Sequence, residues 1–252
     1  MKRILFAGIA AAAFCGVPAF AADMPVKAPM TPVFNWSGFY AGGFAGGAWT
    51  DHATTSDPCL VGAVCPPGTY NGTFPVTYSL GSSFIGGGTI GVNWQAAGSN
   101  FVIGLENEVG FLRLRGTANI SGGGDTNAFT KIGDWYDAYT VRLGFASNRS
   151  LIYAKIGGVS AGYQTGVVDA TPPVTLNTTT SKTLTGLAAG GGWEYAFAPN
   201  WSVKAEYLFL GLGKTVNHCG TVLPAAVIDC SSTKTGDVQT AKVGLNYLFS
   251  SH

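Results

Sequence analysis

The stretch LTGLAAGGGWEYAFAPNWSVKAEYLFLGLG, residues 184–213, decides the fold of this chain. On both sides of Pro199, apolar or aromatic residues alternate with small, polar or charged ones. A period of two is typical of a β-strand with one apolar face. The glycine run at 190–192 argues against a helix, because each glycine costs about 1 kcal/mol in a helical interior. The stretch therefore predicts two antiparallel strands joined by a turn at 198–200.

Each arm of this hairpin is about as long as the roughly 9–11 residues that a tilted strand needs to cross a bilayer. Its charged residues, Glu194, Lys204 and Glu206, all fall on the face opposite the aromatic residues. The whole chain has 37 glycines in 252 residues, 11% charged residues and a mean hydropathy of +0.24. A soluble domain carries about 25% charged residues. No apolar run reaches the roughly 18 residues of a membrane helix, so this composition favours a transmembrane β-barrel.

Residues 1–21 have the pattern of a secretory signal peptide: two basic residues, an apolar run and an A-x-A cleavage site that ends at Ala21. Cleavage would leave 12 basic and 13 acidic residues, a balance that does not favour nucleic-acid binding. Residues 22–35 are rich in proline and lack periodicity, and they predict a flexible periplasmic lead-in. The barrel is expected to occupy residues 36–249.

Alternation of the same kind recurs along the chain and predicts eight strands, near 36–50, 84–95, 101–112, 135–145, 152–156, 184–197, 201–209 and 238–249. The connections alternate between long segments (51–82, 113–133, 163–182, 213–236) and short turns (96–100, 146–150, 198–200). Outer-membrane barrels have long extracellular loops and short periplasmic turns. A soluble barrel or sandwich is disfavoured, because water would not tolerate an apolar outer face on nearly every strand. The predicted fold class is all-β, an eight-stranded antiparallel transmembrane up-and-down β-barrel in the outer membrane.

Placing the apolar face against lipid sends eight charged residues into the barrel: Glu106, Glu108, Arg142, Lys155, Glu194, Lys204, Glu206 and Lys242. The opposite phase would cost about 2–4 kcal/mol for each Lys or Arg near the bilayer midplane. An eight-stranded barrel is only wide enough to be filled by side chains, and buried charges must be paired. We therefore expect a salt-bridged, mostly closed lumen. Glycines 186, 190 and 192 are expected to leave room for these side chains, and Asp137, on the lipid-facing phase, is expected at the outer rim.

Four cysteines remain after the expected cleavage: Cys59, Cys65, Cys219 and Cys230. Three pairings are possible, and local pairing of Cys59 with Cys65 and of Cys219 with Cys230 is the simplest in an oxidising compartment. No CxxC motif is present, so no metal site is expected. The histidines at 52, 218 and 252 lack the Ser or Asp partners of a catalytic triad. We therefore expect no catalytic residue, no cofactor and no enzymatic activity.

Arg113 and Arg115 continue the lipid-facing phase of the third strand beyond its apolar part. Guanidinium groups pair readily with phosphate, so these residues are candidates for contact with lipopolysaccharide. A solvated loop position is the alternative for both. Outer-membrane lipid and lipopolysaccharide are the expected partners.

Four stretches carry a resemblance to a known family: residues 35–40 (NWSGFY), 84–88 (FIGGG), 192–207 and 243–247 (VGLNY). They resemble the small alphaproteobacterial outer-membrane proteins of the 25/31-kDa class, which are related to the transmembrane domain of outer membrane protein A. The resemblance covers nearly the whole chain after residue 21, and the hairpin is its most specific part. It implies an eight-stranded barrel, insertion by the barrel assembly machinery, and a role in envelope integrity or host contact.

The sequence leaves more than one function open. The first is a structural barrel that contributes to envelope integrity. The second is a surface receptor or adhesin whose loops bind haemin, as some relatives are reported to do, or a host molecule; His52, His218 and Tyr70 are then the loop candidates. A narrow porin-like channel is the third.

Overall fold

The described part of the chain contains thirteen strands. The computed structural model describes residues 34–56, 75–120, 126–169, 176–223 and 227–249. The strands are β1 (Gly38–Thr50), β2 (His52–Ser56), β3 (Val76–Ser79), β4 (Ser82–Gln95), β5 (Phe101–Asn119), β6 (Thr126–Ser147), β7 (Ser150–Asp169), β8 (Leu176–Asn177), β9 (Thr180–Ala196), β10 (Trp201–Leu210), β11 (Thr215–Val222), β12 (Val227–Thr235) and β13 (Val238–Leu248). Among these residues, none lies in a helix of the length and apolarity needed to cross a membrane. The expected signal peptide and most of the lead-in lie outside the described residues.

Eight of these strands close into a barrel. The sheet order is β6-β5-β4-β1-β13-β10-β9-β7, and β7 pairs back to β6. All of these pairings are antiparallel, and the first barrel strand joins the last, with Tyr40 opposite Leu248. The predicted fold class is confirmed. Closure leaves every backbone amide of the spanning region with a partner on a neighbouring strand, which the bilayer interior requires.

The two faces of the barrel wall differ sharply in exposure. Leu105 and Val243 point outward and are 59% and 61% exposed. Their chain neighbours Glu106 and Lys242 are 3% and 4% exposed. Because the side-chain period of a strand is two, this contrast assigns the apolar residues to lipid and the charged residues to the lumen.

In the parts of the four long segments that the structure describes, the prediction of loops is wrong, because these parts are largely strand. β5 and β6 continue as a paired ribbon through residues 113–119 and 127–133. β11, β12, β2 and β3 form a separate four-stranded sheet in that order. These segments are rich in threonine, a β-branched residue that favours strands without supplying an apolar face. With 22 residues, β6 rises about 55–60 Å at about 3.4 Å per residue and a tilt of about 40°, so β-structure extends far beyond the roughly 25 Å apolar band.

Two clusters of buried apolar residues fill the barrel interior. The lower cluster, on the side of the short turns, is Phe34, Trp36, Tyr40, Val102, Ala146, Leu151, Tyr153, Ala196 and Leu248. The upper cluster is larger and includes Phe44, Ile85, Leu112, Leu114, Ile132, Tyr136, Leu184, Leu208 and Leu210. Phe34, which the sequence assigns to the flexible lead-in, is buried against Trp36 with ring centroids 5.0 Å apart. Ordered structure therefore begins before residue 36.

We call the β-structure beyond the apolar band the extension. A chain of side-chain hydrogen bonds crosses its interior. Its links measure 2.8–3.1 Å and run through Thr165, Thr130, Tyr78, Thr55, Thr233, His218 and Thr178. Outside this chain of bonds, a disulfide joins Cys219 to Cys230, which lie opposite each other on β11 and β12. That pairing is the predicted one. Cys59 and Cys65 lie outside the described residues.

His218 is not the exposed loop residue that the sequence predicts. It is 1% exposed, and its Nδ1 and Nε2 lie 2.8 Å from Thr178 Oγ1 and 2.9 Å from Thr233 Oγ1. The alternation of side chains along β11 turns His218 inward. The sequence does not reveal this alternation, because the segment is mostly polar. The haemin hypothesis therefore loses one of its candidates; His52 remains exposed, and Tyr70 lies outside the described residues.

Acid should loosen the extension through His218. Burial lowers the pKa of His218 from its ordinary 6.5 to about 4. The unfolded chain therefore binds a proton that the folded chain excludes, so stability is complete above pH 6.5 and is lost as the pH falls towards 4, by about 1–3 kcal/mol. Limited proteolysis at pH 7 and pH 4.5 should show increased cleavage between residues 176 and 235 at the lower pH. His218→Asn should remove this difference, whereas His52→Asn should leave it unchanged.

Candidate functional site

The eight predicted lumen residues all lie inside the barrel, between the two apolar clusters. Each is at most 4% exposed. They come from six strands: Glu106 and Glu108 from β5, Arg142 from β6, Lys155 from β7, Glu194 from β9, Lys204 and Glu206 from β10, and Lys242 from β13. We call this set the lumen network. Four carboxylates and four cations leave it with no net charge.

Glu106 is one of the two most highly connected carboxylates of the lumen network. One carboxylate oxygen lies 2.5 Å from Lys155 Nζ, and the other lies 3.3 Å from Lys204 Nζ and 3.8 Å from an Arg142 guanidinium nitrogen. The hydroxyl of Tyr40 donates a hydrogen bond of 2.7 Å to Glu106. Three cations from three strands thus converge on one carboxylate.

Glu206 forms a second centre on the facing part of the wall. Its Oε2 lies 3.0 Å from Lys155 Nζ and accepts a hydrogen bond of 2.9 Å from the Tyr153 hydroxyl. Its Oε1 lies 3.0 Å from Lys242 Nζ. Lys242 also pairs with Glu108 at 2.5 Å, and Glu108 accepts a hydrogen bond of 2.6 Å from Tyr136. Lys155 and Lys242 therefore connect the three carboxylates into one network.

Arg142 and Glu194 form an ion pair below these two centres. Glu194 also accepts hydrogen bonds from the Ser202 hydroxyl at 2.5 Å and from the Asn246 amide at 2.8 Å. The guanidinium carbon of Arg142 lies 3.8 Å from the centre of the Tyr153 ring, a cation–π contact. A fully buried arginine is thus held by a carboxylate and an aromatic face.

Sequence reasoning missed three tyrosines that bond to the lumen network. Tyr40, Tyr136 and Tyr153 each donate to a carboxylate. For Tyr136 and Tyr153 the signal that could have found them is their position on the charged phase of β6 and β7, whereas β1, which carries Tyr40, has no charged residue. A tyrosine that alternates with lipid-facing residues in a narrow barrel must bring its hydroxyl to a polar partner.

The lumen glycines have a different role from the one predicted. A Cβ at Gly190 would lie 2.1 Å from the carbonyl oxygen of Tyr207, and one at Gly186 would lie 1.8 Å from that of Gly211. At Gly192 it would meet the Ala205 carbonyl oxygen at 2.5 Å and the Tyr153 hydroxyl at 2.7 Å. These glycines therefore allow neighbouring backbones to approach, and the expectation that they make room for charged side chains was wrong.

The lumen network gives no sign of a metal centre. Oxygens of Glu106, Glu108 and Glu206 lie within 4.8 Å of one another, a spacing that a cation could bridge. Lysine ammonium groups already pair with all three carboxylates. The arrangement can hold strands together and neutralise charge, and its carboxylates have no need of a cation.

Lys155 should matter more for stability than Lys204. Lys155 pairs with Glu106 at 2.5 Å and Glu206 at 3.0 Å, whereas Lys204 lies 3.3 Å and 4.0 Å from the same carboxylates. Lys155→Met should lower the free energy of unfolding by about 3 kcal/mol and Lys204→Met by about 1–2 kcal/mol. Urea titration of the protein in lipid vesicles measures both. Equal losses would contradict the unequal roles that the distances assign.

The two predicted lipopolysaccharide contacts, Arg113 and Arg115, lie on the outer surface of β5. Arg113 Nε is 2.7 Å from Asp134 Oδ1, and Lys131 pairs with the same carboxylate. Arg115 is exposed and lies opposite Lys131 on β6. Asp137 points outward on β6 and accepts a hydrogen bond of 2.7 Å from the Asn107 amide. Three basic side chains therefore cluster on this part of the wall.

The family model of the outer membrane protein beta-barrel domain matches residues 7–249 of this chain. The chain belongs to this outer-membrane family. The 31 kDa outer-membrane immunogenic proteins of Brucella melitensis and Brucella suis are 30% identical to this chain over 262 residues, covering 99% of it and 100% of each relative. The 22 kDa outer membrane protein of Rhizobium leguminosarum is 27% identical over 223 residues, covering 82% of this chain and 84% of that protein. The resemblance inferred from the sequence and the outer-membrane location are thereby confirmed.

Solved structures share the fold of this barrel at low identity. The outer membrane protease OmpT of Escherichia coli aligns with a TM-score of 0.56 at 11% identity, covering 87% of this barrel and 99% of OmpT. The outer membrane protein OprG of Pseudomonas aeruginosa aligns with a TM-score of 0.50 at 13% identity, with the same coverage. At such identities the likeness shows architecture alone.

Proposed function

We propose that this outer-membrane barrel is a non-enzymatic structural protein that contributes to envelope integrity and has a closed lumen. The observation that supports it most directly is the lumen network, whose eight charged residues are all paired and lie between two apolar clusters. A water-filled channel would instead expose lumen charges to solvent. The tyrosine and lysine contacts tie β1, β5, β6, β7, β10 and β13 across the lumen, a construction suited to a rigid wall.

Planar-bilayer recording tests the closed lumen. The purified barrel should give no stable openings in 1 M KCl, and a trimeric porin recorded in the same apparatus supplies the positive control. Stable conductance of porin size would contradict the proposal and favour the channel hypothesis.

Loss of the gene tests the contribution to the envelope. The deletion strain should become more sensitive to bile salt and to large antibiotics that an intact outer membrane excludes. Wild-type protein and the surface variant Asp51→Asn should restore resistance. Unchanged sensitivity of the deletion strain would leave the structural role without support.

We further propose that residues 1–21 are removed on export and that the barrel assembly machinery inserts residues 36–249. Amino-terminal sequencing of protein from the outer-membrane fraction should begin at Ala22. Depletion of the assembly machinery should abolish the folded form, which migrates differently from the unfolded form when the sample is not boiled. A mature protein that retained residue 15 would contradict the assignment.

A further inference from the structure

Strand β6 is irregular where it leaves the apolar band. Its register with β7 shifts between Ile132 and Tyr136, so the three residues 133–135 lie opposite a single residue of β7, Gly162. The register of β6 with β5 is the same on both sides of the irregularity. Extra residues in one strand bend it and re-aim side chains, and such bulges occur preferentially at the rims of barrels and beside functional sites.

The bulge contains two residues with positive φ, and the surrounding structure must stabilise this backbone conformation. Gly133 has φ of 115° and Asp134 has φ of 72°. A non-glycine residue in the left-handed region costs about 1–3 kcal/mol, and such residues cluster at ligand sites. A Cβ at Gly162 would lie 2.6 Å from the Gly133 carbonyl oxygen and 3.1 Å from Trp135 Nε1, so only glycine lets β7 approach the bulge this closely.

The bulge opens a pocket of about 660 Å³ on the outer wall across β6, β7 and β9. We call it the bulge pocket. Its lining offers an ammonium group, a carboxylate, an amide and a hydroxyl beside an indole ring, from Lys131, Asp134, Gln164, Ser181 and Trp135. This volume falls within the roughly 300–1,000 Å³ of small-molecule sites, but the lining is far more polar than usual.

The bulge pocket lies at the level of the outer-leaflet headgroups. Phe145, beside a short turn, and Trp135 are both on the outward phase of β6, ten residues apart. At about 3.4 Å per residue and a tilt of about 40°, that separation is about 26 Å, close to the roughly 25 Å height of the apolar band. Below the pocket and Asp137, the wall is apolar, with Val141 and Leu143 exposed to lipid. The pocket therefore begins where the hydrocarbon ends.

Charge at the bulge pocket is positive. Asp134 is shared by Lys131 and by the adjoining Arg113, and the exposed Arg115 lies opposite Lys131. These three cations and one carboxylate leave a net charge of +2. The side chains of Arg113 and Lys131 are 43% and 26% exposed, so both remain open to a ligand. An anion is the complementary occupant.

We propose that the bulge pocket binds the phosphorylated sugar headgroup of a lipopolysaccharide molecule in the outer leaflet. Lys131 and the adjoining Arg113 would contact the phosphate, Gln164 and Ser181 would hydrogen-bond sugar hydroxyls, and the exposed face of Trp135 would support the pyranose ring. The acyl chains would then follow the apolar wall below. A simple phospholipid supplies the phosphate alone and leaves the amide and hydroxyls of the pocket unused. This inference goes beyond the proposed structural role, since a barrel that bound no headgroup would remain closed.

Titration of the detergent-solubilised full-length mature barrel with bisphosphorylated lipid A, read by native mass spectrometry, tests the proposal. Replacing both Lys131 and Arg113 with alanine should weaken binding about tenfold or more, because two charged contacts to phosphate are lost. Lys234→Ala removes an exposed lysine of β12 away from the pocket and should change affinity less than twofold. Lipid A stripped of both phosphates should bind the wild type as weakly as bisphosphorylated lipid A binds the double variant.

Asp134→Asn supplies an independent readout. Asparagine tolerates the left-handed backbone, and loss of the carboxylate frees Lys131 for phosphate, so affinity for lipid A should rise about two- to threefold. Phosphatidylglycerol at equal concentration should not compete. Unchanged binding by the variant that lacks both Lys131 and Arg113, an equal loss in Lys234→Ala, or full competition by phosphatidylglycerol would each overturn the proposal. Single-channel recordings of all variants should stay closed, which separates this result from the test of the lumen.

Discussion

Replacing Glu106 with glutamine should lower the free energy of unfolding by about 3–5 kcal/mol, the usual consequence of removing one partner from a buried ion pair. Glu106 is the shared partner of Lys155, Lys204 and Arg142. Glutamine keeps the size of the side chain but leaves the lumen with one uncompensated positive charge. Urea titration in lipid vesicles, followed by tryptophan fluorescence, measures the change.

Two further variants separate loss of charge balance from loss of shape. Adding Lys204→Met to Glu106→Gln restores neutrality, so the double variant should recover part of the lost stability, although Glu106 itself is absent. Asp51→Asn makes the same chemical change at an exposed position and should stay within about 0.5 kcal/mol of wild type. A double variant less stable than Glu106→Gln would mean that charge balance does not govern the lumen.

Gly157→Ala should prevent folding or lower stability by at least 3 kcal/mol, whereas Gly158→Ala should be tolerated within about 1 kcal/mol. A Cβ on Gly157 would lie 1.8 Å from the carbonyl oxygen of Tyr139, which belongs to the neighbouring backbone and cannot move alone. The nearest atom to a Cβ on Gly158, the Gly186 carbonyl oxygen, is 4.0 Å away. The two positions are adjacent and differ only in the face of the wall they occupy.

The gel assay of heat-modifiable migration compares the two alanine variants directly. Refolded Gly158→Ala should give the fast-migrating folded band, and Gly157→Ala should give mainly the unfolded band. Two folded bands of equal intensity would show that β6 and β7 can separate enough to admit a methyl group.

The lipid- and lumen-facing positions could be predicted because the bilayer imposes a strict rule on every second residue. Leu105 beside Glu106 is enough to establish which face is which. The partners inside the lumen could not be predicted, because they depend on the stagger of the strands around the barrel. Lys204 lies directly opposite Glu194 on β9, yet it pairs with Glu106 on another part of the wall.

The upper half of the barrel was harder to foresee. Threonine-rich segments have no apolar face, so the prediction placed loops where β2, β3, β11 and β12 form a sheet. The bulge in β6 was also missed. In the sequence, Gly133 followed by Asp134 is an ordinary turn pair. Only the structure shows that β6 continues as a strand through these residues, with a shift of its register against β7.

Outer-membrane barrels place their long connections outside the cell, so we expect the β-structured extension to be what an antibody or bacteriophage meets there. Neighbouring surface positions on adjacent strands, such as Thr54 of β2 and Lys234 of β12, come from parts of the chain far apart in sequence. Binding sites on such a surface are conformational, so short synthetic peptides will imitate them poorly. An immunogen meant to elicit antibodies against the living cell should therefore present the refolded barrel.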